Sequence, residues 1–241
     1  MDPRLHSISR NISRVRRAYA VLSIKGGVGK TTVSTLLALY ASRKLSVGLL
    51  DADIVNPSTH VLLGLKPEEI RYREEKGIEP YNVDSMRYVS IAAFTGEKPL
   101  PLRGGETGDV LRELLAIVKW GDLDILFIDT PPGISDEHLD LLYSLRSYIK
   151  PIIVATPSKL ALRSVSRLIT LLDEAGYNWI GLVENMGYGG LRGNPMLKKA
   201  SYLGYIPFIP GIEECIASRR VGECMDQRIL DGIIQALLTA S

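Results

Sequence analysis

The run Ser23-Ile24-Lys25-Gly26-Gly27-Val28-Gly29-Lys30-Thr31-Thr32 follows a short apolar stretch and opens a helical pattern. That is the context a phosphate-binding loop needs. Gly26, Gly27 and Gly29 permit sharp turns that aim successive backbone N–H groups into one concavity, and the helix that follows adds its positive end. Lys30 can reach terminal phosphates as a point charge, and the Thr31 hydroxyl suits Mg2+. Gly26, Gly27, Val28, Gly29, Lys30, Thr31 and Thr32 are therefore expected to bind a nucleotide's phosphates. A second apolar run ends in Asp51-Ala52-Asp53. Aspartate at the carboxyl end of a parallel strand points into the ligand crevice, and two positions apart would project to the same side of an extended segment. A third run, Leu126-Phe127-Ile128, ends in Asp129, which is expected to hold Mg2+ through water. Pro131-Pro132-Gly133 then force a stiff, non-helical turn that could respond to a terminal phosphate.

The strict pattern G-x-x-x-x-G-K-[ST] requires glycine at position 24, where this chain has Ile24; Lys25 instead precedes the glycine pair. The sequence Lys25-Gly26-Gly27-Val28-Gly29-Lys30-Thr31 resembles the deviant Walker A motif of the dimeric ATPases that include MinD, ParA, the nitrogenase iron protein and the Mrp/ApbC proteins. The resemblance implies that Lys25 acts in trans on phosphates bound by a second protomer. It assigns Asp51 to the metal's water shell and Asp53 to the attacking water, as orienting group or general base. In Val183-Glu184-Asn185-Met186 it implies that Asn185 hydrogen-bonds adenine, since an amide can donate to and accept from that base edge.

Several stretches are most similar to the Mrp/ApbC iron–sulfur ATPases. They are Leu49–Ile54 with Asn56-Pro57-Ser58, Arg103-Gly104, Trp120-Gly121-Asp122-Leu123-Asp124, Asp129–Gly133 with Asp136-Glu137, and Glu184-Asn185-Met186. The resemblance spans about residues 19–215. One departure matters. The family's Cys-x-x-Cys, through which two protomers bridge a [4Fe–4S] cluster, should follow Glu-Asn-Met, but residues 187–195 contain no cysteine. Cluster ligation needs thiolates or close substitutes, so no bridging [4Fe–4S] cluster is expected.

Positioning these groups requires a particular scaffold. Strand patterns fall at 19–24, 47–51, 88–93, 124–129, 151–156 and 179–184, with a short one near 205–206. Helical patterns lie between them at about 30–43, 106–119, 136–147, 158–175 and 226–239. The runs at 124–128 and 151–155 are almost wholly apolar, as strands buried on both faces are. Strand and helix in alternation predict an α/β fold with a doubly wound, mostly parallel sheet flanked by helices, like the P-loop NTPases. The charged segment 64–86, with Pro67 and Pro80, is expected to be a surface excursion with a small hairpin. His60 is expected in a helix after the Asp51-Ala52-Asp53 segment, and His138 on a helix surface.

The 241 residues carry 46% apolar and 23% charged side chains and a net charge of +2. This excludes disordered and fibrous classes and gives no sign of a nucleic-acid partner by itself. The longest uncharged stretch, 13 residues from Ala200 to Ile212, is too short to span a membrane. Residues 1–17 are expected to form a basic N-terminal arm, with Arg4, Arg10, Arg14, Arg16 and Arg17 against Asp2, and 18–241 a single domain. Cys215 and Cys224 read as two ordinary thiols of a reducing cytoplasm. The expected protein is a cytoplasmic, Mg2+-dependent, slowly hydrolysing ATPase. It should cycle between ATP and ADP as a homodimer and serve a client or a cluster-binding relative. The alternative is a ParA- or MinD-like positioning ATPase that binds DNA or membrane through the basic arm.

Overall fold

Apolar runs with no polar face are satisfied only inside a sheet covered on both sides. The computed structural model, which describes residues 4–96, 104–133 and 142–240, has this arrangement. Its strands are β1 (Ala18–Leu22), β2 (Val47–Asp51), β3 (Arg73–Glu74), β4 (Ile78–Glu79), β5 (Tyr81–Val83), β6 (Met86–Ser90), β7 (Ile125–Asp129), β8 (Ile149–Ala155), β9 (Gly181–Asn185) and β10 (Ser201–Ile206). Eight of them form one sheet in the order β10-β9-β8-β1-β7-β2-β6-β5. All neighbours are parallel except the edge strand β5, which runs antiparallel to β6. β3 and β4 form the small hairpin expected within 64–86. Every residue of β1, β2, β7 and β9 is buried.

The principal helices are α1 (Arg4–Ile12), α2 (Lys30–Ala41), α3 (Thr59–Leu62), α4 (Gly104–Ile117), α5 (Lys159–Glu174), α6 (Ile212–Ala217) and α7 (Gln227–Thr239). α1, α4 and α5 cover one face of the sheet; α2 and α7 cover the other. The apolar stripe of α7 (Leu230, Ile233, Ile234, Leu237) is buried there, as a core-packing helix requires. β1 stops at Leu22 because the Ser23 carbonyl accepts from Gly133 N–H instead of continuing a ladder. The chain order turns outward on either side of β1, and ligands of open α/β sheets bind at such a point, beyond the strands' carboxyl ends. The phosphate loop leaves β1 there.

Residues 4–17 do not project from this body. Ile8 and Ile12 are buried in the same core as Leu114 and Trp120, and Val15 makes a parallel bridge to Leu123. Arg4 pairs with Asp109, Arg14 with Asp122 and Arg16 with Asp124. Ile8 and Ile12 thus pack α1 against α4, while Val15 lies beyond the end of α1 and is tied to Leu123. The cysteine expectation is overturned: Cys215 and Cys224 form a disulfide, with Cα atoms 6.4 Å apart. α6 ends at Ala217 and Arg219 takes a left-handed φ of 62°. The chain doubles back and brings Cys224 beside Cys215.

Candidate functional site

The loop between β1 and α2 is held open by backbone conformation. Gly27 and Gly29 both have φ of 79°, a region that disfavours side chains. Gly29 is doubly constrained, because a Cβ there would collide with the Asn185 amide. An open cavity of 390 Å3 lies over this loop. Its wall includes Lys25 through Thr32, Asp53, Asn56, Ser58, Pro132, Met186 and Glu213. The residues read as phosphate ligands are therefore together on one concave surface, with Asp53 facing them.

Parallel register sets the two other aspartates side by side: Asp51 of β2 is the partner of Asp129 of β7. Lys30 Nζ donates to Asp129 Oδ1 at 2.8 Å, and Ser34 Oγ donates to the same oxygen at 2.9 Å. The pair is almost fully buried, at 6% and 0% side-chain exposure. Asp129 Oδ2 is buried with no hydrogen-bond partner among the described residues. A buried carboxylate oxygen with no donor is a place where a hard cation or its water fits. Lys30 Nζ also lies 3.5 Å from Thr31 Oγ1, so lysine, threonine and Asp129 converge. The described residues hold no cluster of three or more His, Cys, Asp or Glu side chains set to bind a metal. Mg2+ needs no such cage, since it is commonly held by one or two protein groups, nucleotide phosphates and water.

Asp51 and Asp53 do not share a direction, although their spacing suggests it. β2 ends at Asp51, and Asp53 N–H folds back onto Asp51 Oδ1 at 3.2 Å, which ends the alternation of an extended segment. Asp51 Oδ2 accepts from Ser58 N at 3.1 Å, Thr59 N at 3.0 Å and Thr59 Oγ1 at 2.6 Å. Asp51 therefore anchors the segment leading into α3 and is not part of the cavity wall. Burial, then the neighbouring Asp129 charge, raises its pKa to about 7, against the opposing pull of its Thr59 and Asp53 donors. Asp53 stays on the cavity wall, with Oδ1 accepting from Asn56 N at 3.0 Å. Burial also raises its pKa, opposed by the Asn56 hydrogen bond and the Lys30 charge. A carboxylate raised in this way is a better proton acceptor once ionised.

Asn185 sits behind the loop. Its Nδ2 donates to the Val28 carbonyl at 2.8 Å, and the residue is 5% exposed. The turn at 130–133 is fastened to β1: Thr130 Oγ1 donates to Val21 O at 2.7 Å, and Gly133 N donates to Ser23 O at 3.0 Å. Asp136, Glu137, His138 and Arg103 lie outside the described residues. His60 lies within α3, as its position after Asp53 suggested.

Three contributors were not singled out from the sequence. Ser34 stands one helical turn after Lys30, a spacing that places both on one face of α2. Thr59 follows Ser58 at the start of α3, a position where hydroxyls commonly bond nearby groups. Glu184 is fully buried and accepts from Gly189 N, Gly190 N and Leu191 N at 3.0, 3.0 and 2.8 Å and from Tyr202 OH at 3.1 Å. It moulds the glycine-rich loop that stands where the resembled family carries its thiols. Burial, then the Glu184 charge, drives the Tyr202 phenol upward. An acid just before the candidate base-binding asparagine was the signal available for Glu184.

Residues 14–194 match the family described as ParA: NUBPL iron-transfer P-loop NTPase. The sequence is 36% identical to the cytosolic Fe-S cluster assembly factor Nubp2 homolog of Aedes aegypti, over 92% of this chain and 96% of that protein. It is 40% identical to the Nubp2 homolog of Drosophila melanogaster, over 73% of this chain and 70% of that one. Among solved structures, the nucleotide-binding protein of Archaeoglobus fulgidus in complex with ADP aligns with a TM-score of 0.74 at 28% identity, covering 90% of this chain and 92% of the other. The septum site-determining protein MinD of Pyrococcus horikoshii with Mg-ADP aligns with a TM-score of 0.62 at 20% identity, covering 92% and 95%. That second likeness is one of fold.

Proposed function

The chain belongs to the ParA-type, NUBPL iron-transfer P-loop NTPases, and on that premise we propose that it is a Mg2+-dependent ATPase that works as a nucleotide-switched homodimer in iron–sulfur cluster assembly. The observation that carries the reading is the convergence of Lys30, Thr31 and Asp129 under a glycine-rich loop with Asp53 on the facing wall.

The loop N–H groups and Lys30 bind the phosphates. Thr31 and Asp129 Oδ2 are the groups that would hold Mg2+, which when bound neutralises phosphate charge. Lys30 meets phosphate while still paired with Asp129, so nucleotide entry is sensed at the end of β7. From there Thr130 and Gly133 couple to β1 and Ser23. Asp53 positions the attacking water and takes its proton. Asp51 works at one remove, holding Ser58 and Thr59 so that Asp53, Asn56 and Ser58 face the cavity. Lys25 is on the cavity wall and crosses to the partner's nucleotide in the dimer. Asn185 supports the loop through Val28 and offers its carbonyl oxygen to the adenine. Turnover is slow, because the product is a conformational state.

The thiol-free loop 187–193, moulded around Glu184, supports a dimer without a bridging cluster that partners cluster-binding relatives. The cytosolic naming of the Nubp2 relatives supports the same compartment for this chain. The positioning-ATPase reading is less supported, since Arg4, Arg14 and Arg16 are engaged by Asp109, Asp122 and Asp124. Sedimentation velocity with Mg-ATP tests the dimer. Wild type should dimerise with ATP, and Lys25→Ala should bind ATP yet lose hydrolysis. Hydrolysis by a strictly monomeric protein, undiminished in Lys25→Ala, would refute the trans role.

A further inference from the structure

A second cavity, of 590 Å3, opens at the other edge of the sheet. Arg10, Arg14, Glu79, Asn82, Arg87 and Lys119 contribute to its wall. Arg10 and Arg14 come from the end of α1 and just beyond it, Glu79 and Asn82 from β4 and β5, Arg87 from the start of β6, and Lys119 from the segment that leads into β7, so they cluster at the amino ends of β6 and β7. The phosphate loop lies at the carboxyl ends. Five-residue strands put about 17 Å between the two edges.

The cavity wall is basic. Four cations face one acid, Glu79. Arg14 is neutralised by Asp122 at 2.6 Å. Arg87 donates to the Trp120 and Asp122 carbonyls, and Lys119 donates to the Glu75 carbonyl. Carbonyl oxygens orient a cation without cancelling its charge. Arg10 has no side-chain partner among the described residues, and both Arg10 and Lys119 are exposed. A guanidinium has five donors and an ammonium three, so unused donors remain on Arg10, Arg87 and Lys119. Arg87 is also held in place by sequence: Gly121 has φ of 64°, and a Cβ there would come within 2.8 Å of Arg87 Nη1. A residue with any side chain at position 121 would displace the guanidinium.

We propose that this cavity is a second anion site that takes a small phosphorylated ligand of nucleotide size or less. Its volume is in the range of small-molecule sites, about 300–1,000 Å3. Phosphate is the favoured group because a guanidinium fork and a neighbouring ammonium match its several oxygens. Nothing in the proposed ATPase cycle uses these residues, so the site stands independently of that reading.

Inorganic pyrophosphate is the probe, titrated calorimetrically into the full chain with its phosphate loop first saturated by Mg-AMPPNP. One additional binding event per chain is expected. The double variant Arg10→Ala/Lys119→Ala should weaken it at least about tenfold, as loss of hydrogen bonds to charged groups does, with AMPPNP affinity unchanged. Both positions are exposed, and circular dichroism verifies the variant's fold. If AMPPNP fails to bind, the ATPase reading fails while the same double variant still decides the second site. Absence of the additional event, or its survival in the double variant, overturns the proposal. Citrate binding as tight as pyrophosphate overturns the phosphate class.

Discussion

Thr59→Val isolates the link between Asp51 and the segment that leads into α3. Thr59 is fully buried, and its hydroxyl lies 2.6 Å from Asp51 Oδ2 and 2.7 Å from Tyr88 OH. Valine keeps the shape and deletes both contacts. A hydrogen bond to a charged group contributes about 1.5–3 kcal/mol and a neutral one about 1 kcal/mol, so the variant should lose about 2–4 kcal/mol when Asp51 is ionised. The sign of the pH dependence follows from the Asp51 pKa, raised from 3.8 to about 7 by burial and by Asp129. A carboxyl raised in the folded state contributes stability that is fully present below its unfolded pKa and is lost as pH rises towards the folded one. For Asp51 that window runs from about pH 4 to about pH 7, and the loss is on the order of 4 kcal/mol. Thr59 is one of the donors that limit it. Urea unfolding of wild type and Thr59→Val should therefore show a cost of about 2 kcal/mol near pH 5, where Asp51 is protonated and both bonds are neutral, growing by about 0.5–2 kcal/mol near pH 8. An equal cost at the two pH values, or one below about 0.5 kcal/mol near pH 8, would refute the assignment of Thr59 as an anchor of ionised Asp51.

Lys30→Ala should abolish ATP binding and lower stability by about 3–5 kcal/mol, because it strands the buried Asp129 carboxylate. Calorimetry under conditions where the variant is folded checks this, and an affinity within about twofold of wild type, about 0.4 kcal/mol, would sink the phosphate-loop assignment. Anaerobic reconstitution with iron and sulfide should leave no stable cluster bridging the proposed homodimer, since residues 187–193 carry no thiol. The reconstitution is paired with Cys215→Ser and Cys224→Ser, and about four irons per dimer that depend on either cysteine would return the protein to the cluster carriers.

The parts of this molecule that were legible in the sequence are those set by local pattern. The apolar runs ending at Asp51 and Asp129 mark strands because burial on both faces leaves no polar positions. The glycines before Lys30 mark the loop because left-handed backbone favours them. What was not legible depends on partners remote in the chain or on where an element ends. The Arg14–Asp122 and Arg16–Asp124 pairs that fix the N-terminal segment join positions 108 residues apart. Asp51 and Asp53 diverge because β2 stops between them and Asp53 N–H turns back. The Cys215–Cys224 bond depends on the left-handed turn at Arg219, a residue type that gives no warning of one. Asn185 and Glu184 stand at a strand's carboxyl end, but only the fold shows that one supports Val28 and the other the loop at 189–191.

The most direct test of ATP hydrolysis at this site is a paired measurement on Asp53→Ala, with ATP affinity by calorimetry and single-turnover phosphate release with Mg-ATP. Asp53 faces the phosphate loop across the cavity and accepts from Asn56 N at 3.0 Å. Binding should stay at the wild-type level while hydrolysis falls by about 10²–10⁴. Hydrolysis at the wild-type rate, with binding intact, would contradict the role assigned to Asp53.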